Sequence, residues 1–435
     1  MPNRLTICCM LALTALTALV GCVGEPPEPN AENPIPSSSA TNPESSDVKQ
    51  VAAVVTEYRH NSHADIIVSR LLQTYTLDGK GERSPLHLLS LYTDQVPDAD
   101  TSRMLSASHS FPIHDNIADT LTNGTGDLAV DGVLLIAEHG NYPRSDSGNT
   151  QYPKRRFWNE IAAVFKQTGK SVPVFCDKHL ADNWDDAKAI YDEAKQLGVP
   201  LMAGSSVPGT WRKPAADVDK DADLNEIVVI TYGSTDHYGF HALEAVQALA
   251  EQRRGGETGI RAVRGLAGDD VWQAVDDGAF DPELFEAAWN RQSHHQNGAT
   301  PLREAVKNPV LFLLEYKDGL RAAVIELNGA CAEWTGAWRY ADDRIDACQF
   351  WTQEARPGMH FTFLLNGIEE MILTGQPSWP VERTLMSSGA LDAVLQSKRD
   401  GGQHRLTPHL EFSYQSDWRW QQPPPPPPGR PWSEQ

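Results

Sequence analysis

The order of apolar runs in this chain predicts a doubly wound parallel α/β sheet followed by an α+β domain with a largely antiparallel, open sheet. Three observations carry that reading. Between Val51 and Ala203, strand-length apolar runs alternate with helix-length segments whose apolar residues recur three and four apart. Residues 169–206, GKSVPVFCDKHLADNWDDAKAIYDEAKQLGVPLMAGSS, hold one complete strand–helix–strand unit, right-handed by the ordinary rule for parallel crossovers. After Pro208 the pattern changes to partly alternating strands, two of them joined by Asp318-Gly319, a hairpin turn pair.

Taken in order, the first element is a strand at 51–56, then a helix at 64–72 with Ile66, Ile67, Leu71 and Leu72 as its apolar face. A strand at 86–92 ends at Thr93-Asp94. A helix near 101–108, a short strand near 111–113 and a short helix at 117–121 follow. The apolar run 130–137 is a buried strand ending in Glu138-His139-Gly140, and 157–168 is the next helix. The strand at 172–175 then runs abruptly into Cys176, Asp177, Lys178 and His179. Its crossover helix places Ala187, Ile190, Tyr191 and Ala194 on one face and leads to a strand at 199–203. Beyond Pro208 the pattern gives helices at 241–252 and 281–290, strands at 310–316, 321–327 and 347–352, and amphipathic helices at 361–373 and 381–396. Ligands of open parallel sheets bind beyond the carboxyl ends of the strands, so the Asp177–His179 corner marks a working cleft.

The ends read differently. Arg4 precedes an apolar stretch of export-signal length, 5–20, closing on Leu19-Val20-Gly21-Cys22, which resembles a bacterial lipobox. It implies removal of 1–21 and a lipid on Cys22, hence an extracytoplasmic lipoprotein anchored to the cell or outer membrane. Residues 22–49 are a Pro/Ser/Asn/Glu tether, 50–208 and 209–420 the two domains, and 421–435, with Pro423–Pro428 in a row, a polyproline tail. A formal net charge of −21 with no basic face excludes phosphate-backbone binding, so no nucleic-acid partner is expected. Cys176 reads as a buried thiol; Cys331 and Cys348 would pair if their strands were neighbours. A homo-oligomer is left open.

Two further stretches carry a resemblance. The 169–206 segment places Asp177-Lys178-His179 where the glucose–fructose oxidoreductase/inositol dehydrogenase (Gfo/Idh/MocA) family has Glu-Lys-Pro, with Lys178 on the active-site lysine. His237-Tyr238-Gly239-Phe240-His241-Ala242-Leu243-Glu244 is similar to the family's Asp-x-Gly-x-His-x-x-Asp, with His241 on the catalytic histidine and His237 and Glu244 in place of the acids. The likeness runs over nearly all of 51–410. It implies a Rossmann-like domain followed by the open-sheet domain, and oxidation of a carbohydrate, polyol or derivative by hydride transfer to NAD or NADP. His241 would then be the base, and Lys178 would polarise the reacting oxygen.

The loop after the first strand departs from that pattern. Thr56-Glu57-Tyr58-Arg59-His60-Asn61-Ser62-His63 holds no glycine, and side chains there keep backbone amides from a pyrophosphate. Arg59 and a cap at Ser62 would compensate, and Asp94 stands where a ribose-binding acid belongs. Glu138-His139-Gly140 also differs from the small apolar loop expected beside a nicotinamide. A second chemistry is open to the same cleft: Glu57, His63, Glu138, His139, Asp177, His179, His237 and His241 gather at strand ends. Because His237 and His241 are four apart, they would share a helical face as ligands for zinc or manganese. A third is binding without turnover, with Trp334, Trp338, Tyr340 and Trp351 stacking on sugar rings.

Overall fold

Five apolar runs buried along most of their length make the first sheet: β1 (Lys49–Val55), β2 (Leu86–Thr93), β3 (Gly132–Ile136), β4 (Val174–Asp177) and β5 (Leu201–Gly204). The structure is a computed structural model describing residues 48–426. Cys22, the export signal at 1–21, nearly all of the tether and the end of the proline run lie outside the described residues. All pairings in this sheet are parallel, in the order β2-β1-β3-β4-β5. That order reverses between β1 and β3, which opens a crevice at their carboxyl ends. Helices α1 (His63–Leu72), α2 (Ser102–His109), α3 (Ile117–Thr122), α4 (Lys154–Thr168) and α5 (Trp184–Leu197) connect the strands. One apolar core lies on each face of the sheet.

The second sheet has eight strands in the order β13-β8-β9-β10-β7-β11-β12-β6. They are β6 (Trp211–Lys213), β7 (Leu224–Thr231), β8 (Ile260–Ala267), β9 (Val310–Tyr316), β10 (Arg321–Glu326), β11 (Trp334–Tyr340), β12 (Ile345–Trp351) and β13 (Arg405–Leu406). β7 and β10 run parallel and the other pairs antiparallel. Helix α6 (Tyr238–Ala250) covers one face, with α7 (Asp269–Asp276), α8 (Pro282–Trp289) and α9 (Leu302–Ala305) on the other side of the chain's path. The Asp318-Gly319 turn joins β9 to β10 as expected, Gly319 taking φ +96°.

Several expectations change. The strand near 111–113 is a single bridge from Leu91 to Ile113. The helix expected at 241–252 begins earlier, at Tyr238, so His237 caps it. Helices α10 (His360–Thr374) and α11 (Val381–Arg399) are where the sequence puts them, but α11 is buried around nearly its whole circumference. It lies between β8 and α6 on one side and α5 and β5 on the other, so polar residues such as Ser387, Ser388 and Ser397 turn their hydroxyls onto backbone or the preceding turn. Cys331 and Cys348 remain free, in cores on opposite faces of the mixed sheet, and Cys176 is a buried thiol pushed up to about 11 by burial.

Candidate functional site

The carboxyl edge of the parallel sheet is built around one buried ammonium. Lys154, in the first turn of α4, donates to the carbonyl oxygens of Asp177 (2.5 Å), Lys178 (2.6 Å) and His179 (2.6 Å). Three successive carbonyls meet one cation, while the three side chains are buried and pair elsewhere. The Lys178–His179 peptide is cis. Nothing in the sequence pattern pointed to Lys154, since a lysine at a helix start ordinarily reads as solvated.

The side chains of this corner pair across loops. Lys178 Nζ bonds Glu138 Oε1, both buried, and His237 Nδ1 lies 3.2 Å from the same oxygen. Burial pushes the Glu138 carboxyl up, but Lys178, His237 and His63 outweigh it and hold it well below the usual range. His63 opens α1, and its Nδ1 meets Asp177 Oδ2 at 2.6 Å, while its backbone amide donates to His139 Nδ1 at 3.4 Å. His179 Nε2 is 2.9 Å from the Asp236 carbonyl, and burial lowers its imidazole. His241, on α6, meets Ser205 Oγ through Nδ1 at 2.5 Å; burial, then the Lys178 charge, keeps it well below its usual range and neutral. Glu244, one turn on, is raised by burial to about 7, with Oε2 accepting from the Ser205 amide at 3.3 Å.

These loops enclose a cavity of about 220 Å³. His63, His139, His237, His241 and His360 line it together with Glu138 and Glu354. Tyr238 and Trp334 stack at 5.1 Å to form an aromatic wall, and the Tyr152 phenol, kept protonated by burial, closes another side. His139 and His360 are pushed down to about 3 by burial and stay neutral. One buried carboxylate oxygen, Glu138 Oε2, has no hydrogen-bond partner. An unsatisfied buried acceptor at a cavity wall is the kind of exception that marks a place for a ligand hydroxyl or water.

Of the site residues read from the sequence, Lys178, His237, His241, Glu138, His139 and Asp177 come together here. His179 and Glu244 stand just behind, in the protein. Lys178 is not a free polarising cation, being held by Glu138. Glu57 is buried and bound to Arg59 at 2.5 Å, away from these lining residues. Of the four aromatics, Trp334 alone lines the cavity. Trp338 donates to the Tyr340 hydroxyl inside the mixed-sheet core, and Trp351 packs against Trp211. No three His, Cys, Asp or Glu side chains among the described residues are arranged to hold a metal ion, so the zinc or manganese reading finds no ligand set.

The crevice at β1/β3 does not fit a dinucleotide. Tyr58 is fully buried below α1, its hydroxyl 2.7 Å from Ser69 Oγ, where a phosphate-binding loop needs glycine. The amides that would cradle a pyrophosphate are taken: Arg59 and Asp65 donate to Ser62 Oγ, Asn61 to Asp65 Oδ2, and His63 to His139. Ser62 is therefore the cap the sequence promised. Asp94, expected to bind a ribose, accepts from Tyr92 (2.8 Å), Tyr142 (2.7 Å) and Arg156 instead. Residues 352–359 lie against the first turns of α1. Arg356 pairs with Asp65, Arg70 donates to the carbonyls of Pro357 and Gly358, and a Cβ on Gly358 would meet Ile66 at 3.2 Å.

No protein-family model matches the chain, and no curated protein matches it either. Solved structures do. GenD2 from gentamicin A biosynthesis, in complex with NAD, superposes with a TM-score of 0.53 at 14% identity, over 83% of this chain and 97% of that one. Scyllo-inositol dehydrogenase from Lactobacillus casei, with bound NAD(H) and scyllo-inositol, gives 0.52 at 10% identity, over 82% and 99%. At such identities the likeness is one of fold. The chain has the two-sheet fold of the Gfo/Idh/MocA-type dehydrogenases.

Proposed function

We propose that this protein acts on a carbohydrate, polyol or related hydroxylated small molecule in the cavity at the carboxyl edge of the parallel sheet. The observation that carries the reading is the meeting of Lys178, His237 and His241 around Glu138, with Glu138 Oε2 unpaired and the Tyr238–Trp334 stack opposite. Carboxylate, imidazole and phenol groups beside an aromatic face are what a ring bearing several hydroxyls needs: hydrogen bonds at its rim and apolar contact for its C–H faces. A volume of about 220 Å³ limits the occupant to one small ring. The scyllo-inositol held by a structural neighbour supports the same ligand class.

The fold supports an oxidoreductase ancestry. Hydride transfer to NAD or NADP is the reading favoured by the nucleotide-bound neighbours and disfavoured by the filled β1/β3 crevice. Ligand-observed saturation-transfer NMR with scyllo-inositol, myo-inositol and D-glucose tests the proposal. We expect transfer from at least one of them to the wild-type protein and its loss in Trp334→Ala. Absence of transfer from all three at millimolar ligand would remove the polyol reading.

We also propose, from the lipobox, that Cys22 carries a lipid and that the protein works outside the cytoplasm on a membrane. Detergent phase separation checks this. The full chain should enter the detergent phase and a chain beginning at Val23 the aqueous phase; equal partitioning of the two would refute it.

A further inference from the structure

We infer that the site performs redox-neutral proton transfer, with His63 as the base that removes a proton from the carbon beside a carbonyl group of a sugar- or polyol-derived ketone. This deepens the preceding reading, and rests on it for the substrate class.

Three observations converge. The place of the nicotinamide nucleotide is occupied by the chain's own atoms: Tyr58 below α1, Ser62 and Asp65 on its amino-terminal amides, and Arg356 clasping Asp65 from residues 352–359. With no acceptor for hydride, oxidation of an alcohol does not balance in this cavity. Secondly, the first residue of α1 is a histidine whose Nδ1 is 2.6 Å from the Asp177 carboxylate. A carboxylate only accepts, so Nδ1 carries a proton; in the neutral ring the lone pair is on Nε2, and the ring lines the cavity. That is the arrangement by which a second residue fixes the tautomer of a general base. Phe361 at 4.9 Å and His139 at 5.1 Å pack edge-on against the ring and set its plane.

Thirdly, an electrophilic partner stands in the same cavity. Ser205 Oγ accepts from the Val207 amide at 3.0 Å and faces His241 Nδ1 at 2.5 Å. With the hydroxyl proton directed to Nδ1, the neutral imidazole presents Nε2–H to the cavity. Such a neutral donor can stabilise a developing enolate oxygen without surrendering its own proton.

The step balances without a co-reactant. The His63 Nε2 lone pair takes the proton, and the C–H electron pair becomes the carbon–carbon double bond of the enolate. The carbonyl π pair moves to oxygen, where His241 donates to it. Return of a proton to the same carbon, on either face, regenerates the ketone and the neutral base. The outcome is exchange or epimerisation at that carbon.

The test incubates the purified chain in D₂O, without nucleotide, with three probes: D-fructose, L-sorbose and the ketone of scyllo-inositol. Proton NMR follows loss of the C–H signals beside the carbonyl. We expect exchange above the buffer rate for at least one probe, reduced about 10²–10⁴-fold in His63→Gln and in His63→Asn. Saturation transfer from the probe and circular dichroism should be unchanged in either variant. No exchange with any probe overturns the inference, and so does equal exchange by wild type and both variants. Stoichiometric NAD(H) or NADP(H) binding in native mass spectrometry overturns it as well. Saturation transfer retained alongside absent exchange would leave the polyol site standing while this chemistry falls.

Discussion

The end of β1 and the ends of β3 and β4 are neighbours on one sheet edge, yet the chain treats them in opposite ways. After β1, the polar groups are mostly satisfied from within: Ser62, Asp65, Glu57 and Arg59 bond to each other or to backbone, and Arg356 closes over them. After β3 and β4, buried polar atoms are left over, among them Glu138 Oε2 and His179 Nδ1, and several imidazoles turn an unshared nitrogen to a cavity. A buried polar group without a partner costs stability, so a cluster of them persists where it serves something else. The filled half is scaffold and the frustrated half is site. His63 apart, whose ring enters the cavity from the first half, substitutions in the first should be felt in stability alone, and those in the second chiefly in turnover.

Lys154→Met is the exception that would sharpen this contrast most. Its ammonium donates to the carbonyls of Asp177, Lys178 and His179, two of which also meet the weak Cys176 thiol donor. Removing it takes the charged donor from three buried carbonyls, a loss of about 3–5 kcal/mol. Urea unfolding should show a lower midpoint and an extrapolated stability reduced by that amount, together with loss of ligand binding. A variant as stable as wild type would mean the corner is held by something else.

Acid should weaken the imidazole-rich half. His139 and His360 are held neutral down to about 3 in the folded protein, and His179 and His241 are lowered in the same direction. Unfolded histidines take up protons near 6.5, so below that pH the unfolded chain binds more protons than the folded one. Stability is then complete above about pH 6.5 and falls with acid by about 1.4 kcal/mol per pH unit for each such histidine. Glu244 acts the other way. Its folded carboxyl, raised to about 7, binds a proton that the unfolded one releases near 4.5, so its contribution falls as pH rises through that window. With four histidines against one carboxyl, thermal unfolding should show a net loss from pH 6.5 to 4.5, steeper in Glu244→Gln. A flat profile would mean that the imidazoles are solvated and the cavity is open water.

How much of this could be read from the residues follows from the range over which each feature is written. The parallel sheet was legible because β1, β3, β4 and β5 are short apolar runs with turns on either side. β8 escaped because Arg261 and Arg264 interrupt its apolar pattern, and β11 because Gly336 and large aromatics blur the alternation. Helix α11 read as amphipathic from a sequence whose polar residues are in fact satisfied inside, between two layers. The corner at Asp177–His179 and the His237–His241 pair were visible as motifs. The base was not: His63 and Asp177 are 114 positions apart, and only closure of the β1–α1 loop onto β4 makes them one unit. Lys154 was hidden for the same reason, its role being defined by carbonyls that carry no sequence signal.

The smallest effect is the most discriminating for the filled half. Asp94 sits where a ribose would be read, and its carboxylate accepts from Tyr92, Tyr142 and Arg156 at a partly solvated position. Solvent screens the Arg156 pair, so Asp94→Asn should cost about 1 kcal/mol, mostly through the tyrosine hydroxyls that lose a charged acceptor. Were Asp94 a ribose ligand, the same substitution would leave stability nearly untouched and weaken nucleotide binding by tenfold or more, about 1.4 kcal/mol. Paired unfolding curves and NAD titrations on wild type and Asp94→Asn separate the two. The structure predicts a small shift in the first and no signal to lose in the second, because three side chains of the protein already make the contacts that a ribose would have made.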